Sequence, residues 1–142
     1  MGTDNKPVLG FQLLMFTRHS FIRADIAMIA PGRHSMGQSY RDLIAWRKAM
    51  DFVMDVYRTS RSFPRDELYR LASQLRRAAV GVPPNIAEGQ ARFSANEFHY
   101  FLARARGSLV EVETQLMIAQ KLDYFTPEHG RDLLNWGRYS MG

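Results

Sequence analysis

From Ser39 onward, apolar residues recur at steps of three and four, the period of helices buried along one side. A first stripe runs through Leu43, Trp46, Ala49, Met50, Val53 and Tyr57. It stops at Phe63-Pro64, because proline disfavours helical geometry in the residue before it. A second stripe, with Asp66 as the expected N-cap, takes in Leu68, Leu71, Ala72, Leu75, Ala78, Ala79, Val82 and Ile86. Pro83-Pro84 falls inside it and removes two backbone donors, which predicts a kink rather than an end, with Gly89 as the terminator. Ser94 followed by Glu97 matches a capping box. It opens a third helix with Phe98, Phe101, Leu102, Ala105, Leu109, Val112, Leu116 and Ala119 on its core face. A turn at residues 123–126 and Pro127 at a first helical position introduce a fourth helix carrying Leu133, Leu134 and Trp136. No strand-like alternation competes after residue 39. The pattern predicts an all-α fold, an antiparallel up-down four-helix bundle whose fourth helix is short or truncated.

Residues 1–38 read differently. Apolar patches there are broken by Arg18, His19, Arg23 and Asp25, so neither a membrane span nor a signal peptide fits, and Pro31-Gly32 interrupts any helix. The expected division is an N-terminal extension, 1–38, poorly ordered or arising from a misplaced start with Met36 as the natural one, and a bundle domain, 39–142.

Composition adds two constraints. The 142 residues contain no cysteine, which removes disulfides, thiolate metal sites and thiol nucleophiles. The formal net charge is +5 and nearly all of its positive side is arginine, a residue whose planar fork suits phosphate. Lys6, Arg18, Arg23 and Arg33 against Asp4 and Asp25 place +2 of that excess in the extension. The remaining +3 per bundle domain is modest, and only repetition in an oligomer makes it a strong attraction for a polyanion.

Identifying words lie in the middle of the chain. Tyr40-Arg41-Asp42-Leu43 and Trp46-Arg47-Lys48-Ala49 are followed by Phe63-Pro64 and Glu67-Leu68-Tyr69-Arg70-Leu71. Then come Gln74-Leu75-Arg76-Arg77-Ala78-Ala79, Val82-Pro83-Pro84-Asn85-Ile86-Ala87-Glu88-Gly89, and Ala105-Arg106-Gly107-Ser108-Leu109. Glu111 and Glu113-Thr114-Gln115-Leu116 complete the order. Over residues 39–126 the chain resembles the four helix bundle protein family, also called the 23S rRNA intervening-sequence protein family, and is similar to the accessory variability protein of diversity-generating retroelements. The resemblance implies a small non-enzymatic helical bundle that forms a homopentamer. Through the retroelement protein it also implies contact with nucleic acid or a nucleoprotein. Residues 1–38 have no counterpart in that pattern, and the family's fourth helix is normally longer than this chain allows.

Candidate residues follow from chemistry. Arg70 and Arg77 fall on the face opposite Leu75, Arg76 flanks that face, and Arg104 and Arg106 border the third core stripe; these five are the candidates for RNA or DNA phosphates. Pairing with Glu88, Glu97, Glu111 or Glu113 is the competing fate for each. The aromatic residues fall mostly on core stripes, so no base-stacking platform is expected. Ile44, Phe52, Val110, Met117 and Ile118 project away from those stripes and are the candidates for an oligomer interface. Pro83, Pro84, Asn85, Glu88 and Gly89 read as an architectural motif, and Gly107-Ser108 as a place of close helix contact. Arg92 and His99 have the spacing of a HEPN-like metal-independent ribonuclease, the alternative to a binding or purely structural oligomer. The chain shows no phosphate-binding loop, nucleophile elbow or metal-ligand spacing, so no catalytic residue, cofactor or metal is assigned. The expected protein is cytoplasmic, partnered by itself and by RNA or DNA, with no membrane and no small-molecule substrate.

Overall fold

The computed structural model describes residues 22–26 and 39–124, and all regular structure among them is helical. Helix α1 spans Ile44–Ser60, α2 Leu71–Val80, α3 Val82–Gln90 and α4 Ala95–Lys121, with 3-10 turns at Tyr40–Asp42 and Arg65–Glu67. The expected fourth helix, with its truncation, lies outside the described residues, as does Met36. Both α2 and α3 pack against α1 and against α4, whereas α1 barely meets α4. The middle rod therefore joins the two outer helices. Its buried side chains, Leu75, Ala79, Val82 and Ile86, meet Phe52 and Val56 of α1 and Leu109 and Val112 of α4 in one core.

The middle rod is interrupted at Gly81. That residue keeps right-handed helical angles (φ −68°, ψ −18°), so the chain continues in helical sense from α2 into α3. Pro83 and Pro84 sit in the first turn of α3, where missing N–H groups cost least. In a continuous α-helix those two residues would have bonded the carbonyls of Ala79 and Val80. The Asn85 side chain donates to the next carbonyl, that of Gly81, at 2.7 Å. Gly89 stays inside α3 and does not terminate it. A Cβ there would meet Leu102 Cδ2 and Phe101 Cβ at 3.4 Å, ordinary van der Waals contact, so α4 packs directly against this glycine. A Cβ at Gly81 would meet Ser108 Oγ at 3.2 Å. Gly107, by contrast, faces open space, so Ser108 alone answers to the expected close contact.

Helix starts differ from the expected ones in instructive ways. Asp66 does not cap α2; it lies in the 3-10 turn Arg65–Glu67. The neighbouring Glu67 carboxylate accepts from the Leu71 backbone N–H at 3.2 Å and so serves the first turn from four residues away. Ser94 does cap α4, its hydroxyl accepting from Glu97 N–H at 3.5 Å. The Glu97 carboxylate lies near Arg92, at 3.9 Å. A full reciprocal box forms instead at Ser39 and Asp42.

The buried face of α1 is rotated from the expected stripe. It runs through Ala45, Ala49, Phe52, Val56 and Thr59, while Met50 and Tyr57 are exposed and Leu43, Trp46 and Val53 are half-buried. Phe52 is 1% exposed and belongs to the core of the subunit, which corrects its assignment to an outward-facing interface. Leu68 of the second expected stripe is exposed. Upstream, residues 22–26 are helical, and Ile22 and Ile26, one turn apart, are buried in the same core. Asp25 fastens that segment to α1 through an ion pair of 2.7 Å with Lys48.

Helix α4 ends by left-handed capping. Asp123 takes φ 57°, and Tyr124 N–H bonds the carbonyl of Ala119 at 3.0 Å, the six-to-one bond of a Schellman motif. Tyr124 then closes over the α1–α2 connection. Its ring lies 5.5 Å from that of Phe63, its carbonyl accepts from Ser62 Oγ at 3.2 Å, and its hydroxyl donates to Glu67 Oε1 at 3.0 Å. That last bond raises the phenol above its ordinary range, because it favours the protonated form.

Candidate nucleic-acid interface

Three of the five candidate arginines gather at α2. Arg70 is the exposed residue before its first turn, and Arg77 is exposed two turns further on. Arg76, half-buried, is held in place. Its Nε donates to Ser60 Oγ at 2.7 Å, and its guanidinium lies 5.0 Å from the ring centroid of Tyr57, a cation–π distance. Ser60 is itself buried and donates to the carbonyl of Tyr57 at 3.2 Å. The end of α1 thus presents one hydroxyl and one aromatic face to one arginine of α2.

Arg76 and Arg77 border an open groove of about 450 Å3. Tyr57 forms one wall and Leu68 and Tyr69, from the turn before α2, another; Ser73 and Val80 complete it. Arg104 and Arg106 lie on α4 and do not line this groove. Arg104 donates to Tyr100 Oη at 3.1 Å and sits 5.6 Å from that ring, while Arg106 is exposed. The sequence named five arginines, and the structure brings two of them, Arg76 and Arg77, to one surface feature.

Pairing with glutamate was the competing fate for these arginines. Among the described residues no carboxylate lies within ion-pair distance of Arg70, Arg76, Arg77, Arg104 or Arg106. Among the described residues the arginine seen paired with glutamate is Arg92. It meets Glu88 at 2.7 Å and Glu97 at 3.9 Å and covers the Phe101 ring at 4.8 Å. Two carboxylates already balance the charge that the ribonuclease alternative would have aimed at a phosphate. His99 is exposed and meets the edge of Phe98. The glutamate of the 83–89 motif, Glu88, is thus one arm of an ion-pair clamp between α3 and the start of α4.

Aromatic placement departs from the expectation of a core-bound set. Tyr69 is 89% exposed and Phe93, in the loop between α3 and α4, is 98% exposed; Tyr100 is also exposed. Tyr69 was expected inside the second helix, beyond the Asp66 cap, whereas it lies in the turn that precedes α2. It shares the groove with Ser73, Arg76 and Arg77, which follow it at steps of three and four.

The remaining interface candidates, Ile44, Val110, Met117 and Ile118, are all exposed. Val110, Met117 and Ile118 share α4 with Arg106, so one helix carries both apolar and cationic exposed positions. Among the described residues no cluster of three acidic, histidine or cysteine side chains is placed to hold a metal. No described helix is long and apolar enough to cross a membrane. His19, His34 and His129 lie outside the described residues.

A family model for the 23S rRNA-intervening sequence protein matches residues 41–136, about two thirds of the chain. The match begins after the buried segment 22–26. No curated protein matches the chain.

Proposed function

Because the chain belongs to the 23S rRNA-intervening sequence protein family, we propose that it acts as a non-enzymatic, self-associating up-down helical bundle, a homopentamer in the cytoplasm, that binds RNA or DNA through arginines. The observation that carries this reading is the state of Arg70, Arg76 and Arg77. Three guanidinium groups at one helix have no carboxylate among the described residues to neutralise them. An unbalanced cationic cluster in a chain of net charge +5 favours a polyanionic partner. Phosphate is the anion that the planar fork of arginine matches in geometry.

Self-association supplies the multiplication that the charge needs. Exposed Ile44, Val110, Met117 and Ile118 offer apolar surface for it. In a pentamer each arginine appears five times and the cluster becomes a ring.

Two measurements test the reading. Light scattering on the eluted protein is expected to give about 82 kDa, five times the 16.4 kDa chain; a monomer at all concentrations refutes the assembly. Anisotropy titration of labelled RNA and DNA is expected to show binding at low salt that weakens as salt rises. Absence of binding at low salt, or binding indifferent to salt, refutes the phosphate reading.

A further inference from the structure

We propose that the groove beside α2 seats one unpaired base and its phosphate, so that the polymer bound there is single-stranded. Tyr69 is the stacking surface, and Arg77, backed by Arg76, meets the phosphate. This inference rests on the nucleic-acid reading above and specifies which form of the polymer the groove takes.

Two features of the groove point to a ligand that is both anionic and aromatic. Its cationic side is Arg76 and Arg77, neither of which meets a carboxylate among the described residues. Arg76 is pre-positioned, because Ser60 and the Tyr57 ring fix its guanidinium and little side-chain freedom is left to lose on binding. The other side is Tyr69, 89% exposed, and no ring among the described residues stacks on it. Tyr57 already carries Arg76 on its face, so Tyr69 is the groove's open ring.

The volume, about 450 Å3, lies within the range of small-ligand pockets, roughly 300–1,000 Å3. A base with its phosphate fits that scale. An acidic peptide would satisfy the arginines and leave the Tyr69 ring idle. Duplex nucleic acid would do likewise, since its base faces are already stacked on one another. An unpaired base uses both sides of the groove, and stacking on tyrosine accepts any base because each has a π-face.

The test uses the full chain with fluorescent oligonucleotides: a single-stranded RNA, the single-stranded DNA of the same sequence, and the duplex of each. Tyr69→Ala is expected to weaken single-strand binding by about tenfold and leave duplex binding unchanged, whereas Tyr69→Phe retains wild-type affinity. The salt slope is expected to stay constant, because no charge has been removed. The groove assignment is overturned if Tyr69→Ala leaves single-strand affinity unaltered, or weakens single strand and duplex equally. It is also overturned if the substitution changes the molecular mass in solution, which would make a second copy of the chain the occupant. Those outcomes leave the charge reading standing; failure of the wild-type chain to bind any of the four probes at low salt removes both. A preference for the RNA or the DNA arm identifies the source of the strand. The exposure of Tyr69 makes folding of both variants testable by their unchanged helical circular dichroism.

Discussion

Replacing Gly107 by alanine tests how α4 meets its surroundings. Gly107 lies near the middle of a helix of 27 residues, where glycine is the least favoured residue short of proline. A Cβ built there has no neighbour within 4 Å, so the methyl group costs no packing strain inside the subunit. The change is therefore expected to return most of the propensity difference between glycine and alanine, about 0.5–1 kcal/mol. For a domain of this size that is a rise in Tm of about 2–4 °C. Gly89→Val supplies the opposite case. Its Cβ would already touch Leu102 and Phe101 at 3.4 Å, and the two further methyl groups must enter the packed α3–α4 contact. Overpacking of that kind costs about 1–3 kcal/mol. Urea unfolding of both variants, followed by circular dichroism at several protein concentrations, measures the two effects. A loss of stability in Gly107→Ala refutes the open-space reading. If that loss grows with protein concentration, the methyl collides with a neighbouring copy, and Gly107 belongs to the assembly rather than to the subunit.

Three further outcomes are expected. Asn85→Ala removes the 2.7 Å bond to the Gly81 carbonyl and costs about 1 kcal/mol in denaturant unfolding; a midpoint equal to wild type contradicts the role of Asn85 at the α2–α3 junction. Ile26→Ala empties a fully buried position upstream of the family match and costs about 2–5 kcal/mol; a change under about 0.5 kcal/mol means that segment does not pack on the core. Tyr124 donates to Glu67, so its phenol titrates above the ordinary value of about 10. A raised folded pKa contributes stability that is full below the unfolded value and is lost as pH rises through the folded one. Ultraviolet titration of phenolate is expected to show a late component that Tyr124→Phe removes; identical titration curves contradict the bond.

Much of the fold was legible because α4 carries large apolar residues at regular spacing, and Phe98, Leu102, Leu109, Val112 and Leu116 are all buried as that spacing predicts. Helix α1 misled for a physical reason. Its buried face holds small and polar residues, Ala45, Ala49, Asp55, Thr59 and Ser60, while the larger Trp46, Met50 and Tyr57 lie on its flank. A search for large apolar stripes therefore picks the flank and leaves Phe52 outside. The start of α2 was misplaced because Asp66 has the chemistry of an N-cap, yet Glu67 bonds the first turn from within a 3-10 turn.

The candidate site was legible only in part. Arg76-Arg77 stands out in the sequence, but the partners that fix Arg76 are sixteen and nineteen residues earlier, on α1. Tyr69, Ser73, Arg76 and Val80 follow one another at helical spacing, so their shared face was legible, but not that Tyr69 is left uncovered on it. The mid-helix Gly107 suggested close contact, whereas the close approaches are made at Gly81 and Gly89, whose place at the α4 contact depends on how the middle rod packs.

The most direct test of nucleic-acid binding through the α2 arginines is the salt dependence of single-strand affinity, compared between the wild-type chain and its Arg77→Gln and Arg70→Gln/Arg77→Gln variants. For a single strand, each phosphate that the protein no longer neutralises lowers the slope of log K against log salt by about 0.7. A salt-dependent wild type is expected, with a slope that falls by about 0.7 for each subunit whose Arg77 the strand contacts in the first variant, and by about twice as much in the second. A wild-type slope near zero, or equal slopes in all three proteins, contradicts binding through these arginines.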